Sequence, residues 1–465
     1  MSAATLSNLL AQMHQNQEVL NGWDAVMSLL ESSVNAFFEQ QWQAQTSGAG
    51  VMTISGMWCD GVSPISGTFI TNVVEFTVTL GTPLFQFAEN ESSVKVTQKI
   101  TGGTLKQGSK EVSSSFSPPA CGCTAADPTI EWGTPVQIDL SKNPNVSGAV
   151  PLSQVQGSVA ADHSLVLDFA QGSFTLNNLD VTGVNNTDFV AQIKNWYVSH
   201  DIKYTLATIN TQNISGLASL TPSSFQFNVV TTNAGNTLIQ LLMTTDGNQP
   251  SIKTINVSEP VPTADNLTCS LIVSSRILYQ NILVAGFNKT NQNINLYPRQ
   301  PSTSAGSWTA FMSPELVFKG SFSFGSCCDR TTVTYSIPLG GTYSGTATQG
   351  FHLYQTESSQ GNVHVDITVN AYYPASLSGS GATQSIKITA GTPSVTVTGS
   401  AEAEIKSTLE SILNNNFKNG MQGISFAPIS CLALENLVFP ENLISMAQVQ
   451  VPADLLIVGT FTPTR

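Results

Sequence analysis

Few residues in this chain are of types and spacings that could do chemistry. His364 and Asp366 stand two apart in an alternating stretch, so both side chains point to one face of a strand as an acid–base pair. General acid–base work also needs a pocket to hold a substrate, and the surrounding sequence offers only a polar outer strand face. Gly379-Ser380-Gly381 comes nearest to a nucleophile motif, but it sits in a Ser/Gly turn between strands and not on a strand-to-helix elbow. Phosphate-binding, zincin and dinucleotide fingerprints are absent from the sequence. Cys121-Gly122-Cys123 and Cys327-Cys328 lack the two-to-four-residue spacing and the nearby His of a structural zinc site. Seven cysteines are an odd number in a long chain, which argues against a disulfide framework and for reduced thiols. The expectation is a protein that is not an enzyme, with no catalytic residue, no metal and no cofactor.

Composition narrows the partners. Lys and Arg number 17 against 30 Asp and Glu, a net charge of -13 that repels nucleic acid and anionic membrane surfaces. Lys95, Lys99, Lys106 and Lys110 form the one basic concentration, read as the solvated face of a hairpin. Charged residues are only 10% of the chain, so Ser, Thr, Asn, Gln and Gly must cover its surface. Met1 to Gln17 has no basic start followed by an apolar stretch, and no apolar run reaches membrane-spanning length. Cytoplasmic synthesis without a signal peptide or a transmembrane segment is expected.

The elements that would position functional side chains follow from periodicity. From Asn21 to Gln45 the residues Trp23, Val26, Leu30, Val34, Phe37, Phe38 and Trp42 recur at three- and four-residue intervals, which predicts one long amphipathic helix capped by Asp24. Val74, Phe76, Val78 and Leu80 then alternate with Glu75, Thr77 and Thr79, as do Leu165, Leu167 and Phe169 further on, predicting half-buried antiparallel strands. Helices are predicted at Asp188 to Val198, at Ser275 to Phe287 and at Ala401 to Phe417, with strands at Phe225 to Thr231, Leu238 to Met243, Thr332 to Ile337 and Val363 to Val369. The order of helix, strands and helix occurs twice. It predicts an α+β, β-rich chain of two related halves, residues 1–260 and 261–465. The stripe of Val26, Leu30, Val34, Phe37 and Phe38 either lines an apolar tube or packs a dry core, since both are made of the same residue types.

Three segments carry a resemblance. Asn21-Gly22-Trp23-Asp24, the stretch Ser270 to Arg276, and Asn436 to Pro440 followed by Val451 to Gly459 resemble, in that order, the forty-seven-kilodalton accessory proteins of clostridial neurotoxin clusters. Ala453 stands where that family's pattern has Gly. The resemblance implies the tubular lipid-binding (TULIP) fold, in which strongly curved antiparallel sheets wrap long helices around an apolar groove. It further implies a lipid or other apolar ligand, with the stripe from Val26 to Phe38 as its lining, and partners among related TULIP-like proteins or a toxin of the same gene cluster, with release alongside that toxin. Two rivals remain: a structural scaffold with a filled interior, and a directly acting insecticidal toxin component. Acidic charge and the lack of a long amphipathic insertion hairpin disfavour the last.

Overall fold

The structure is a computed structural model. It describes residues 4–461 apart from 16–18, 90, 117–123, 125, 153–155, 159–163, 180–184, 209–221, 246–249, 251, 253, 279–294, 302–307, 314–316, 325–330, 339–340, 347–349, 359–364, 381–382, 390–391, 393, 421–428, 431–443 and 452–453. Two compact units interleave along the chain: Met1–Leu30, Gln156–His163 and Ile209–Thr464 form one, Glu31–Val155 and Ser164–Thr208 the other. Their boundaries fall at 30, 155, 163 and 208. All strand pairs among the described residues are antiparallel, as the alternating sequence predicts.

In chain order the elements that matter here are α1 (Leu6–Gln15), β1 (Ala25–Leu30), α2 (Glu31–Gln45), β2 (Met52–Ile65), β3 (Thr68–Gln86), β4 (Ser93–Val112), β5 (Glu131–Trp132) and β6 (Val136–Gln137). They are followed by β7 (Asn145–Pro151), β8 (Gln156–Ser158), β9 (Ser164–Asp168), β10 (Ser173–Asn177), α3 (Asn186–Ser199), β11 (Lys203–Thr208), β12 (Ser224–Thr231), β13 (Thr237–Thr244) and β14 (Cys269–Val273).

The first unit is built on a seven-stranded sheet with the order Ile444–Gln450, Leu455–Phe461, β14, β1, β13, β12, β8. Here the sequence expectation of one helix from Asn21 to Gln45 is corrected. Residues 25–30 are the central strand of this sheet, and the helix starts only at Glu31. Ala-Val-Met-Ser-Leu-Leu is apolar apart from Ser28, which suits a strand buried on both faces as well as it suits a helix. Pairing decides the matter: Val26 lies opposite Leu242 on one side and Ile272 on the other, so neighbouring strands satisfy the backbone along the run. Asn21 and Gly22, at φ 49° and 90°, turn the chain just before it. α1 covers one face of the sheet, where Leu9 and Met13 pack with Trp23, Val26, Leu242, Ile272 and Leu456.

Further along the same unit, the strands Asn295–Pro301, Trp308–Ser313, Gly341–Thr346, Gly350–Ser358, Asp366–Tyr373 and Ser394–Thr398 make a six-stranded sheet. The helix predicted at Ala401 to Phe417 is found at Ala403–Gly420 and sets Leu409 and Leu413 on Val365, Ile367, Val395 and Val397. Asn414 fixes it there, its Oδ1 accepting from the Val395 N–H at 2.8 Å and its Nδ2 donating to the Val395 carbonyl at 3.3 Å. Of the helix predicted at Ser275 to Phe287, Ser275–Leu278 is helical and the remainder lies outside the described residues.

In the second unit, β10, β7, β4, β3 and β2 pair in that order, with β5 and β6 on β4. The alternation read from Val74 to Leu80 holds: Val74, Phe76, Val78 and Leu80 are buried, and the polar residues between them are half-buried. The four lysines all stand on the 20-residue strand β4, which pairs antiparallel with β3, Lys95 and Lys99 exposed and Lys106 and Lys110 half-buried. On this strand Gly103 lies opposite Val78 in close contact with β3, next to the register shift at Thr79–Leu80. At φ 146° a Cβ there would strike the Thr77 carbonyl oxygen and come within 2.9 Å of Val78 Cα. Gly103→Ala should therefore cost on the order of 1–3 kcal/mol, measured as a fall in the urea midpoint at constant m-value.

Candidate functional site

In the second unit, α2 is fastened to its neighbours by side-chain amides. Asn35 accepts from the Phe85 N–H and donates to the Phe85 carbonyl, both at 2.8 Å, while Gln41 does the same to Thr205 at 2.9 and 2.8 Å. Glu31 accepts from the Phe87 N–H at 2.6 Å. Two-point clamps of this kind fix both the register and the rotation of the helix, so Val34 and Phe38 face inward.

Aromatic rings fill the space they face. Phe38 meets Phe85 at 4.5 Å and Tyr204 at 5.5 Å between ring centroids, Phe169 meets Tyr197 at 5.2 Å, and Phe76 meets Phe189 at 4.7 Å beside Trp58. Most contacts are tilted or edge-to-face, the arrangement favoured by the ring quadrupoles. Tyr197 donates to Gln98 Oε1 at 2.7 Å, and Gln98 Nε2 passes a bond on to the Gly81 carbonyl at 2.8 Å. Burial pushes the Tyr197 and Tyr204 phenols far above their usual range, so both are neutral at every physiological pH and neither is poised to move a proton.

A cavity of ≈ 480 Å³ opens elsewhere in this unit. Leu105 and Gln107 of β4 form one wall, Gly133, Thr134, Val136 and Gln137 with Asp139 and Lys142 form another, and Asn178 and Leu179 after β10 complete it. β6 holds the second wall in place by pairing Val136 with Leu105 and Gln137 with Thr104. Asp139 caps the helical turn Leu140–Lys142, accepting from Ser141 N at 3.0 Å and Ser141 Oγ at 2.6 Å, and these bonds hold its carboxyl below the usual carboxylate range. Val136, 54% exposed, lines the cavity, and Leu140, 45% exposed, lies on that same capped turn. Volume and mixed lining suit a small amphiphile, its apolar body on Leu105, Val136 and Leu179 and its polar end among Gln107, Gln137 and Asn178. Sequence reasoning missed this site; its one signal was an apolar residue, Val136, set in the turn-rich stretch Gly133-Thr134-Pro135.

The five residues expected to line a tube do not form one stripe. Val26 lies on β1 in the first unit, buried under α1, and Leu30 ends that strand half-buried. Val34 and Phe38 are buried on α2 in the second unit, and Phe37 stacks half-buried on Phe38 at 6.2 Å. The expectation of reduced thiols is corrected at Cys59, which is in a disulfide, while Cys269 is buried and in no disulfide. Cys121, Cys123, Cys327, Cys328, His364 and Gly381 lie outside the described residues. Among the described residues no group of three or more His, Cys, Asp or Glu is placed to hold a metal ion, and no helix is long and apolar enough to cross a membrane.

No protein-family model and no curated protein matches the sequence. Solved structures do match. P47 from Clostridium botulinum A2 aligns with a TM-score of 0.52 at 11% identity over 95% of this chain and 98% of its own, and P47 of Clostridium botulinum E1 with 0.50 at 11% over 95% and 99%. The chain has the P47 fold. At this identity the likeness concerns fold alone. A lipopolysaccharide-binding protein aligns at 9% identity over 94% of this chain and 98% of its own, but its TM-score of 0.30 carries no argument.

The three resembling segments come together in this structure, apart from Asn436 to Pro440, which lies outside the described residues. Asp24 of the first is ion-paired with Arg276 of the second, Ser275 N of the second donates to Asp454 Oδ1 of the third at 2.7 Å, and Ser270 pairs in register with Val458. Residues some 250 and 430 positions apart in sequence thus meet on three adjacent strands of one sheet.

Proposed function

We propose that this chain is a noncatalytic, apolar-ligand-binding protein of TULIP-like architecture, with two related halves in which curved sheets wrap helices, serving as an accessory component of a bacterial toxin system. Its partners on this reading are a small amphiphilic lipid and related proteins or a toxin of the same gene cluster. The observation that carries the ligand claim is the open cavity of ≈ 480 Å³ with its half-apolar wall of Leu105, Val136 and Leu179. The ligand belongs there and not along α2, because the space beside Val34 and Phe38 is already packed with rings. The toxin association rests on the resemblance of the three sequence segments. The filled aromatic interior also favours a second reading, a scaffold that binds only protein.

Two substitutions separate these readings. Val136→Trp fills the cavity from an exposed position, so uptake of a fluorescent fatty acid should fall about tenfold while the thermal midpoint stays near the parental one. Val34→Trp overpacks a dry core and should cost about 1–3 kcal/mol without changing uptake by the folded protein. A parent protein that yields no lipid to organic extraction and takes up no fatty acid would turn the conclusion to the scaffold.

A further inference from the structure

The hairpin of β2 and β3 ends in an apolar tip that neither the cavity nor the packed interior uses. Ser66 and Gly67, at φ 50° and 90°, make a two-residue turn whose twist matches that of the strands it joins. Ile65 is 52% exposed there, and Ser63 and Pro64 beside it are exposed as well. One rung further back, Val62, Phe69 and Ile70 are half-buried. From Gly61 to Val74 no residue is charged, in a chain whose net charge is -13. Charges flank the base of the tip: Asp60 precedes the Gly61 bulge, the exposed Glu111 stands opposite Ile70 on the neighbouring strand, and Lys110 is bound to Asp127 at 2.8 Å. That bond, with two more from Thr129, lowers the Asp127 carboxyl to about 2, so the Lys110 charge stays compensated at neutral pH. The tip is held in shape from behind, where Thr71 Oγ1 donates to the Gly61 carbonyl at 2.7 Å.

We propose that this tip docks the protein on a neutral, zwitterionic lipid surface. The exposed apolar side chains of Pro64 and Ile65 and the half-buried ones of Val62, Phe69 and Ile70, at the end of one hairpin, fall short of the roughly 800 Å² that each partner gives to a stable protein interface. A lipid interface makes no such demand. It accepts a protruding apolar point below the headgroups and hydroxyl groups such as those of Ser63, Ser66 and Thr68 at their level. An anionic surface is disfavoured because the acidic body of the chain would be repelled from it. The proposal goes beyond the cavity and does not depend on it, so a protein with Val136→Trp should dock unchanged.

Flotation of the full chain with phosphatidylcholine vesicles tests the proposal. The parent should float, and Ile65→Asp should weaken partitioning about tenfold or more with an unchanged thermal midpoint. Ile65→Trp should bind at least as well as the parent and be quenched by brominated acyl chains, and replacing part of the lipid with phosphatidylserine should weaken binding. A parent that stays in solution with every vesicle, an Ile65→Asp variant that floats like the parent, or binding that rises with phosphatidylserine would each overturn the assignment. The first of these would indicate a protein partner for the tip, the last a basic surface elsewhere.

Discussion

Trp23→Ala should destabilise the first unit by about 3–5 kcal/mol, the range for truncating a large aromatic side chain in a core that cannot collapse around the gap. Trp23 is 1% exposed and packs with Leu20, Val26, Leu242, Ile272 and Leu456, at the place where α1 meets the sheet. Its indole N–H donates to the Ile252 carbonyl at 2.8 Å, so truncation leaves a cavity and an unpaired acceptor together. Trp23→Phe separates the two contributions: most of the packing is kept, and only the bond and a smaller volume are lost, about 1–2 kcal/mol. Urea unfolding followed by a probe in each unit is the proper measurement, because the loss should appear in the transition that reports on α1 and its sheet. A Trp23→Ala protein that melts at the parental temperature would refute the anchoring role.

How much of this was legible in the sequence depends on which signals are local. The period-two stretch from Val74 to Leu80 folds as read because each alternate side chain is committed to one face, and a slip of one residue would expose all of them. The helices at Asn186–Ser199 and Ala403–Gly420 appear where polar residues separate their apolar ones at helical spacing. The stretch from Ala25 to Leu30 has a single polar residue, Ser28, too little to mark a helical period. Its state is set by β13 and β14, strands more than 200 residues away that share its pairing edges, and no local window contains them. The cavity was hidden for a related reason, since its walls come from β4, the segment after β5 and the end of β10, three stretches that the sequence separates and the strand pairing brings together. The resembling segments, by contrast, led to the P47 fold without revealing that they touch.

That contact gives the last prediction. As a helix cap, the role its spacing suggested, Asp24 would be worth about 1 kcal/mol. The structure gives it a different task. It is 1% exposed, its Oδ2 accepts from both Thr245 N and Thr245 Oγ1 at 2.8 Å, and its Oδ1 is paired with Arg276. Removing this carboxylate strands a guanidinium that is itself only one-third exposed and leaves a backbone donor without a partner. Asp24→Ala should therefore cost about 3–5 kcal/mol, several times the capping value, and the measured magnitude discriminates between the two roles. Asp24→Leu combined with Arg276→Met should recover part of that loss, because two apolar groups in place of a buried pair leave no uncompensated charge. Arg276→Met alone should be damaging too, as it leaves the Asp24 carboxylate buried with Thr245 as its remaining donor among the described residues. A double-mutant cycle with a coupling near zero would mean that the pair does not hold these strands together. A coupling of 1 kcal/mol or more, on the order typical of contacting residues, would identify Asp24 and Arg276 as the link by which residues near the start of the chain are fixed to its middle.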